Sequence, residues 1–154
     1  MVTGAELRDV LRRHPSGVAV VTVDTGRERL GLTVATLVSL SLAPPLVGVA
    51  VARQAALHEL LREAGGFAVS VLARGQEPLA QHFARGVPPI ALWTGMDTRA
   101  GARGPLLEGA VAWLECALDA EHPTGDHTFF VGLVERAEAS AAAEPLVRVS
   151  GEYA

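Results

Sequence analysis

The sequence contains no lysine, no asparagine and one cysteine, Cys116. All 13 basic residues are Arg. Without lysine there is no pyridoxal Schiff base, no P-loop and no lysine nucleophile. A lone cysteine forms neither an internal disulfide nor a thiolate metal cluster. The net charge is −4 and the Arg residues are scattered, so no basic stripe marks a nucleic-acid surface. Aromatic residues make up only 5%, which leaves Val, Leu and Ala to fill the interior. The opening MVTGAELRDVLRR lacks an apolar h-region, so no signal peptide is expected and the cytoplasm is the default location. No G-x-G-x-x-G follows a predicted strand, which excludes a Rossmann dinucleotide site.

What is present is a chain of 154 residues, the size of a single domain spanning 1–154. Such a chain buries about 70% of its unfolded surface and builds a core without staples. From Leu30 to Ala52 no residue is charged. That run is long enough to span a bilayer as a helix. Pro44-Pro45 break a helix, however, and Thr33, Thr36, Ser39 and Ser41 would need partners in lipid. The pattern instead has period two. Leu32, Val34, Val38, Leu40 and Leu42 fall on one face, expected to pack on the core. Thr33, Ala35, Leu37, Ser39 and Ser41 fall on the other. Two strands are predicted, about 30–42 and 45–52, and no membrane span.

Elsewhere Thr3 to Glu6 reads as a capping box before a helix that runs to about Arg13. Strands are predicted at 17–24, 67–73, 110–121, 128–139 and 145–153. Helices are predicted at QAALHELLREAG, closed by Gly65-Gly66, and at 76–84. Residues 85–108 read as a long loop. Strands joined by hairpins, with short helices outside, predict a mainly β fold: an antiparallel barrel with peripheral helices.

Candidate chemistry is sparse. His58 and His82 are expected on solvated helix faces, and His14 at the end of the first helix. His122, Asp126 and His127 flank a tight turn, but no further ligand completes a metal site, and none is expected. Cys116 reads as a packed small hydrophobe.

The ordered segments resemble the flavin reductase-like, FMN-binding split-barrel family, the reductase components of two-component flavin monooxygenases. HPSGVAVVT resembles its first strand and GLTVATLVSLSLAPPLVGVAV its flavin-binding strand pair. GGFAVSVLARGQEPLAQHFA resembles the next strand and helix, and GAVAWLECALDAEHPTGDHTFFVGLVERAEA the late hairpin with its G-D-H turn. The resemblance covers nearly the whole chain. It implies FMN or FAD as cofactor and NADH or NADPH as co-substrate. It also implies hydride transfer to the flavin, release of reduced flavin to a separate oxygenase, and a homodimer. The flavin-binding residues so implied are Thr33, Val34, Ala35, Thr36, Ser39, Ser41, Arg53, Ala55 and Phe83. His127 would lie beside the flavin and seat the nicotinamide, as the catalytic residue. The chain departs from the family where R-x-S-x-T commonly holds the flavin phosphate. Arg53 is kept, but Ala55 and Leu57 replace the two hydroxyls. Ala35 replaces a usual Ser, and Ser70 stands where Asn is common. The departures leave a second reading open: a non-enzymatic flavin or small-molecule binder on the same fold. A third is a dimer that has lost the cofactor.

Overall fold

The computed structural model of the protein describes residues 1–85, 89–141 and 144–154. Helix α1 (Gly4–Leu11) starts where the sequence places it. The Glu6 N–H donates to the Thr3 hydroxyl and the Thr3 N–H donates to the Glu6 carboxylate, a complete capping box. Strands β1 (Ser16–Gly17), β2 (Ala19–Asp24), β3 (Arg29–Val34), β4 (Val38–Leu42) and β5 (Pro45–Ala52) follow. Helix α2 (Ala56–Ala64) ends on Gly65, whose φ of 70° only glycine adopts without strain. Then come β6 (Gly66–Val71), α3 (Glu77–Ala84), α4 (Pro89–Leu92), β7 (Thr98–Arg99) and β8 (Leu106–Leu107). The long hairpin of β9 (Ala112–Thr124) and β10 (His127–Ala139) precedes two short strands, β11 (Val147–Val149) and β12 (Glu152–Tyr153).

Seven strands form one antiparallel sheet in the order β3-β2-β6-β9-β10-β5-β4. Its outer strands, β3 and β4, are consecutive in the chain yet do not pair, so the barrel is split between them. One face carries Val21, Val23, Phe67, Val69, Cys116 and Phe130, all fully buried. Leu57 and Leu61 of α2 join this core, and truncating either to Ala costs about 2–5 kcal/mol. Gly132 is needed here because a Cβ would stand 2.7 Å from the Phe67 ring and 2.8 Å from Cys116 Cβ. A second cluster of Ala68, Leu106, Ala110 and Trp113 covers part of the other face.

Several expectations are corrected. The predicted strand 30–42 is two strands, interrupted at residues 35–37 where the chain leaves β2 for β5. Beyond the break the apolar face does not reach the core: Val38, Leu40 and Leu42 are 42%, 45% and 88% exposed on an edge strand. The segment expected at 17–24 divides into β1 and β2, and the last strand into β11 and β12. Residues 86–88 of the expected loop lie outside the described residues. The remainder is a built cover rather than a loop. The Thr22 hydroxyl donates to Pro105 O at 2.7 Å, Leu107 N donates to Ser70 Oγ at 3.0 Å, and Trp113 Nε1 donates to Leu107 O at 2.8 Å. Among the described residues no helix is long and apolar enough to cross a membrane; the uncharged run forms strands instead.

Candidate functional site

Gly125 at φ +63° closes the β9–β10 hairpin, with Thr124 paired to His127. A positive φ at the first central residue alone is the II′ turn whose twist matches a hairpin. The turn sets His127 opposite Ala52, at the end of β5. Arg53 N donates to Asp126 O at 3.0 Å, which ties the segment leaving β5 to the same turn. The His127 side chain is 42% exposed, and its Nδ1 lies 2.6 Å from the Asp126 carboxylate. That hydrogen bond holds the Asp126 carboxyl below the usual carboxylate range. An ionised carboxylate only accepts, so Nδ1 carries the proton and Nε2 is left outside this bond.

Register places His127 and Phe129 on one sheet face with Ala52, Ala50 and Gly48. Phe129 brings the tip of its ring onto Gly48, where a Cβ would stand 2.1 Å from Cζ. Ala50 and Ala52 keep the rest of this strip low. At its far side the Thr36 hydroxyl donates to Ala50 O at 3.1 Å and accepts from Ala50 N at 3.0 Å. Thr36 thus completes the edge of β5 just where β4 stops pairing with it.

Beyond Arg53 the first turn of α2 has no side-chain cap, because Ala55 occupies the N-cap. Ala55 N donates to Ala52 O and His58 N to Ala55 O. The N–H groups of Ala56 and Leu57, which no helical carbonyl can reach, follow closely in the chain after the exposed Arg53. An uncapped helix start next to an arginine favours an anion.

The structure therefore brings together Thr36, Arg53, Ala55 and His127 along β5 and its exit. The other expected residues are placed elsewhere. Thr33 donates to Ala80 O at 2.6 Å and lies beneath α3. Val34 is 7% exposed. Ser39 pairs with Val47 but Ser41 with Leu46, across a register shift. Adjacent β5 residues point to opposite faces, so the bulge separates the two hydroxyls that period two had placed together. Phe83 is 2% exposed and packs edge-on against the Gly31 backbone, so it belongs to the core rather than to an opening. Ala35 borders a cleft of about 690 Å³ between α1 and residues 148–151, lined also by Arg12, His14 and Arg148. A separate cleft of about 640 Å³, with Arg99, Trp113 and Glu115, lies at the far end of the β9–β10 hairpin, away from all these residues.

Two histidines differ from expectation. His82 is half-buried and its Nε2 donates to Leu92 O at 2.7 Å. His58 is 7% exposed, with Nε2 2.7 Å from Thr128 Oγ1 and its ring against Phe130. The signal for His58 was in the spacing: 57, 58 and 61 share one helix face, and the two leucines are core. Among the described residues no group of three His, Cys, Asp or Glu side chains is arranged for a metal. Cys116 is fully buried, and burial pushes its thiol up to about 12.

Comparison with known proteins gives this geometry a context. The family model "Flavin reductase like domain" matches residues 11–154. The chain is 43% identical over 147 residues to the reductase component of a 4-hydroxyphenylacetate 3-monooxygenase from Thermus thermophilus, covering 95% of this chain and 92% of that one. It is 36% identical over 160 residues to an NADH:FMN oxidoreductase of Rhodococcus erythropolis, covering 99% of this chain and 81% of that one. A solved structure of the Streptomyces globisporus NADH:FAD oxidoreductase superposes with a TM-score of 0.94 at 40% identity, covering 100% of this chain and 95% of that one. The same protein in complex with NAD and FAD fragments superposes with a TM-score of 0.92 at 40% identity, covering 97% and 90%.

Proposed function

The chain belongs to the flavin reductase-like family, and from this we infer that it is an NADH-dependent flavin reductase supplying reduced FMN or FAD to a separate monooxygenase component. One observation carries the reading: His127, Arg53 and the uncapped start of α2 converge at one end of β5. The residues fit a flavin. Arg53 and the N–H groups of Ala56 and Leu57 suit its phosphate by charge and by donor type. The low strip of Ala50 and Ala52, edged by Thr36, lets a flat ring approach backbone. A flavin held there would supply the redox chemistry, as the acceptor of hydride from a nicotinamide.

The protein's own part is binding and orientation, with no side-chain nucleophile. Asp126 fixes the His127 tautomer. Nε2 then presents a lone pair that accepts from a nicotinamide carboxamide. Ala55 and Leu57 provide no hydroxyl to the phosphate. Each missing charge-assisted bond costs about 1.5–3 kcal/mol of binding. Weak retention suits a flavin that must leave for another protein.

The functional unit in this reading is one domain of residues 1–154, acting as a homodimer in the cytoplasm, where NADH is available. The unburied apolar faces support the dimer. Helix α1 buries none of its residues, with Leu7, Val10 and Leu11 at 50%, 66% and 55% exposure, and β4 exposes Val38, Leu40 and Leu42. The experiment is to add FMN, FAD or riboflavin to the purified protein with NADH and follow NADH loss. Turnover that rises with flavin supports the reductase. The hydroxyl-free N-cap of α2 favours one alternative, a flavin binder without turnover. That alternative predicts flavin fluorescence quenching on binding while NADH stays constant.

A further inference from the structure

We propose that His58 is a positioning residue. It pins the Arg53 turn and the start of α2 to the strand bearing His127, so that one rigid unit grips both the flavin phosphate and the nicotinamide. The proposal rests on the phosphate reading above. His58 is the third residue of α2 and is buried. Its Nδ1 lies 3.1 Å from the Glu59 carboxylate, which only accepts, so Nδ1 carries the proton. Nε2 therefore accepts the Thr128 hydroxyl proton across 2.7 Å. Thr128 is 4% exposed and directly follows His127.

The segment that leaves β5 is thus fastened at both ends to one turn and strand. Arg53 N binds Asp126 O at its start, and His58 binds Thr128 at its end. Between them lie Arg53, Ala55 and the free N–H groups. Leu57 and Leu61 also anchor α2, but apolar burial has no direction and permits a small slide or rotation. The hydrogen bond is directional, and breaking it strands a buried polar group. Without it the phosphate donors lose their fixed distance from His127.

The test uses the difference between FMN and riboflavin, which lacks the phosphate, in steady-state assays with NADH. His58→Leu and Thr128→Val, the second nearly isosteric, are expected to raise KM for FMN about tenfold. KM for riboflavin should stay within about twofold. Thr128→Ser keeps the hydroxyl and should restore the FMN value. Arg53→Ala is the control for the underlying reading and must weaken FMN but not riboflavin. If Arg53→Ala affects both flavins equally, the phosphate site is wrong and the proposal falls with it. If Arg53→Ala is selective while Thr128→Val is silent or shifts both flavins alike, the phosphate site stands and the role of His58 is refuted.

Discussion

His127 and Asp126 are neighbours in sequence that adopt one geometry only because Gly125 turns the chain beneath them. His127→Ala removes the proposed nicotinamide contact but leaves the phosphate donors in place. NADH turnover should therefore fall by about 10²-fold, while the FMN dissociation constant, read by fluorescence titration, changes little. Equal loss of both would contradict the assignment. Asp126 titrates below the ordinary carboxylate range because His127 donates to its charged form. A depressed folded pKa gives stability that is present above about pH 4 and is lost as pH falls through the lowered value. In urea melts, any deficit of Asp126→Asn relative to the wild type should be present at neutral pH, begin to shrink at about pH 4 and vanish only below the lowered value. The pair is exposed and screened, so the deficit is small. Cys116 behaves in the opposite sense. Its thiol, raised from 9.0 to about 12 by burial, stays protonated at neutral pH. A thiol reagent should label it only in denaturant, and fast labelling of the native protein would contradict the burial.

At the scale of elements, the uncapped start of α2 is the place where a single atom changes both stability and binding. Ala55→Ser supplies the hydroxyl that the family pattern has and this chain lacks. It should tighten FMN by up to about tenfold and leave riboflavin unchanged, a comparison that isothermal titration makes directly. Local devices such as this were legible from sequence. The Thr3–Glu6 capping box, the Gly65 C-cap and the Gly125 turn each depend on a few adjacent residues, and each formed. The break at residues 35–37 and the register shift between Ser39 and Ser41 were not legible. The alternation of apolar and small residues runs unbroken from Leu30 to Leu42, and nothing within it says where β2 ceases to be the partner and β5 begins. Pairing length is fixed by the neighbouring strand, and one inserted residue reverses every facing beyond it. For the same reason the hydroxyl wall dissolved into separate fates: Thr33 under α3, Thr36 on the edge of β5, Ser39 and Ser41 back to back. Arg53 and His127 were named from the family resemblance alone; the structure sets them beside one turn, which Arg53 N joins by donating to Asp126 O.

At the scale of the whole molecule, the unpaired edges are the argument. A sheet edge with free N–H and C=O groups and apolar side chains invites pairing or burial. Edge strand β4 has both, with Leu40 and Leu42 exposed beside the split in the barrel. Helix α1 presents a second apolar face, and the cleft between it and residues 148–151 reaches Ala35, one residue from Thr36. Two copies that cover these surfaces would bury leucines worth about 1.5–3 kcal/mol each and would wall the open strip beside His127. The expectation is that the wild-type protein sediments at twice the chain mass. Leu40→Glu places a charge in that contact and should yield a monomer with intact far-ultraviolet circular dichroism but at least about tenfold weaker flavin-dependent NADH turnover. If wild type is a fully active monomer, the site is complete within one chain and the apolar edge requires another explanation. If Leu40→Glu is monomeric and fully active, the dimer exists but contributes nothing to the flavin cleft.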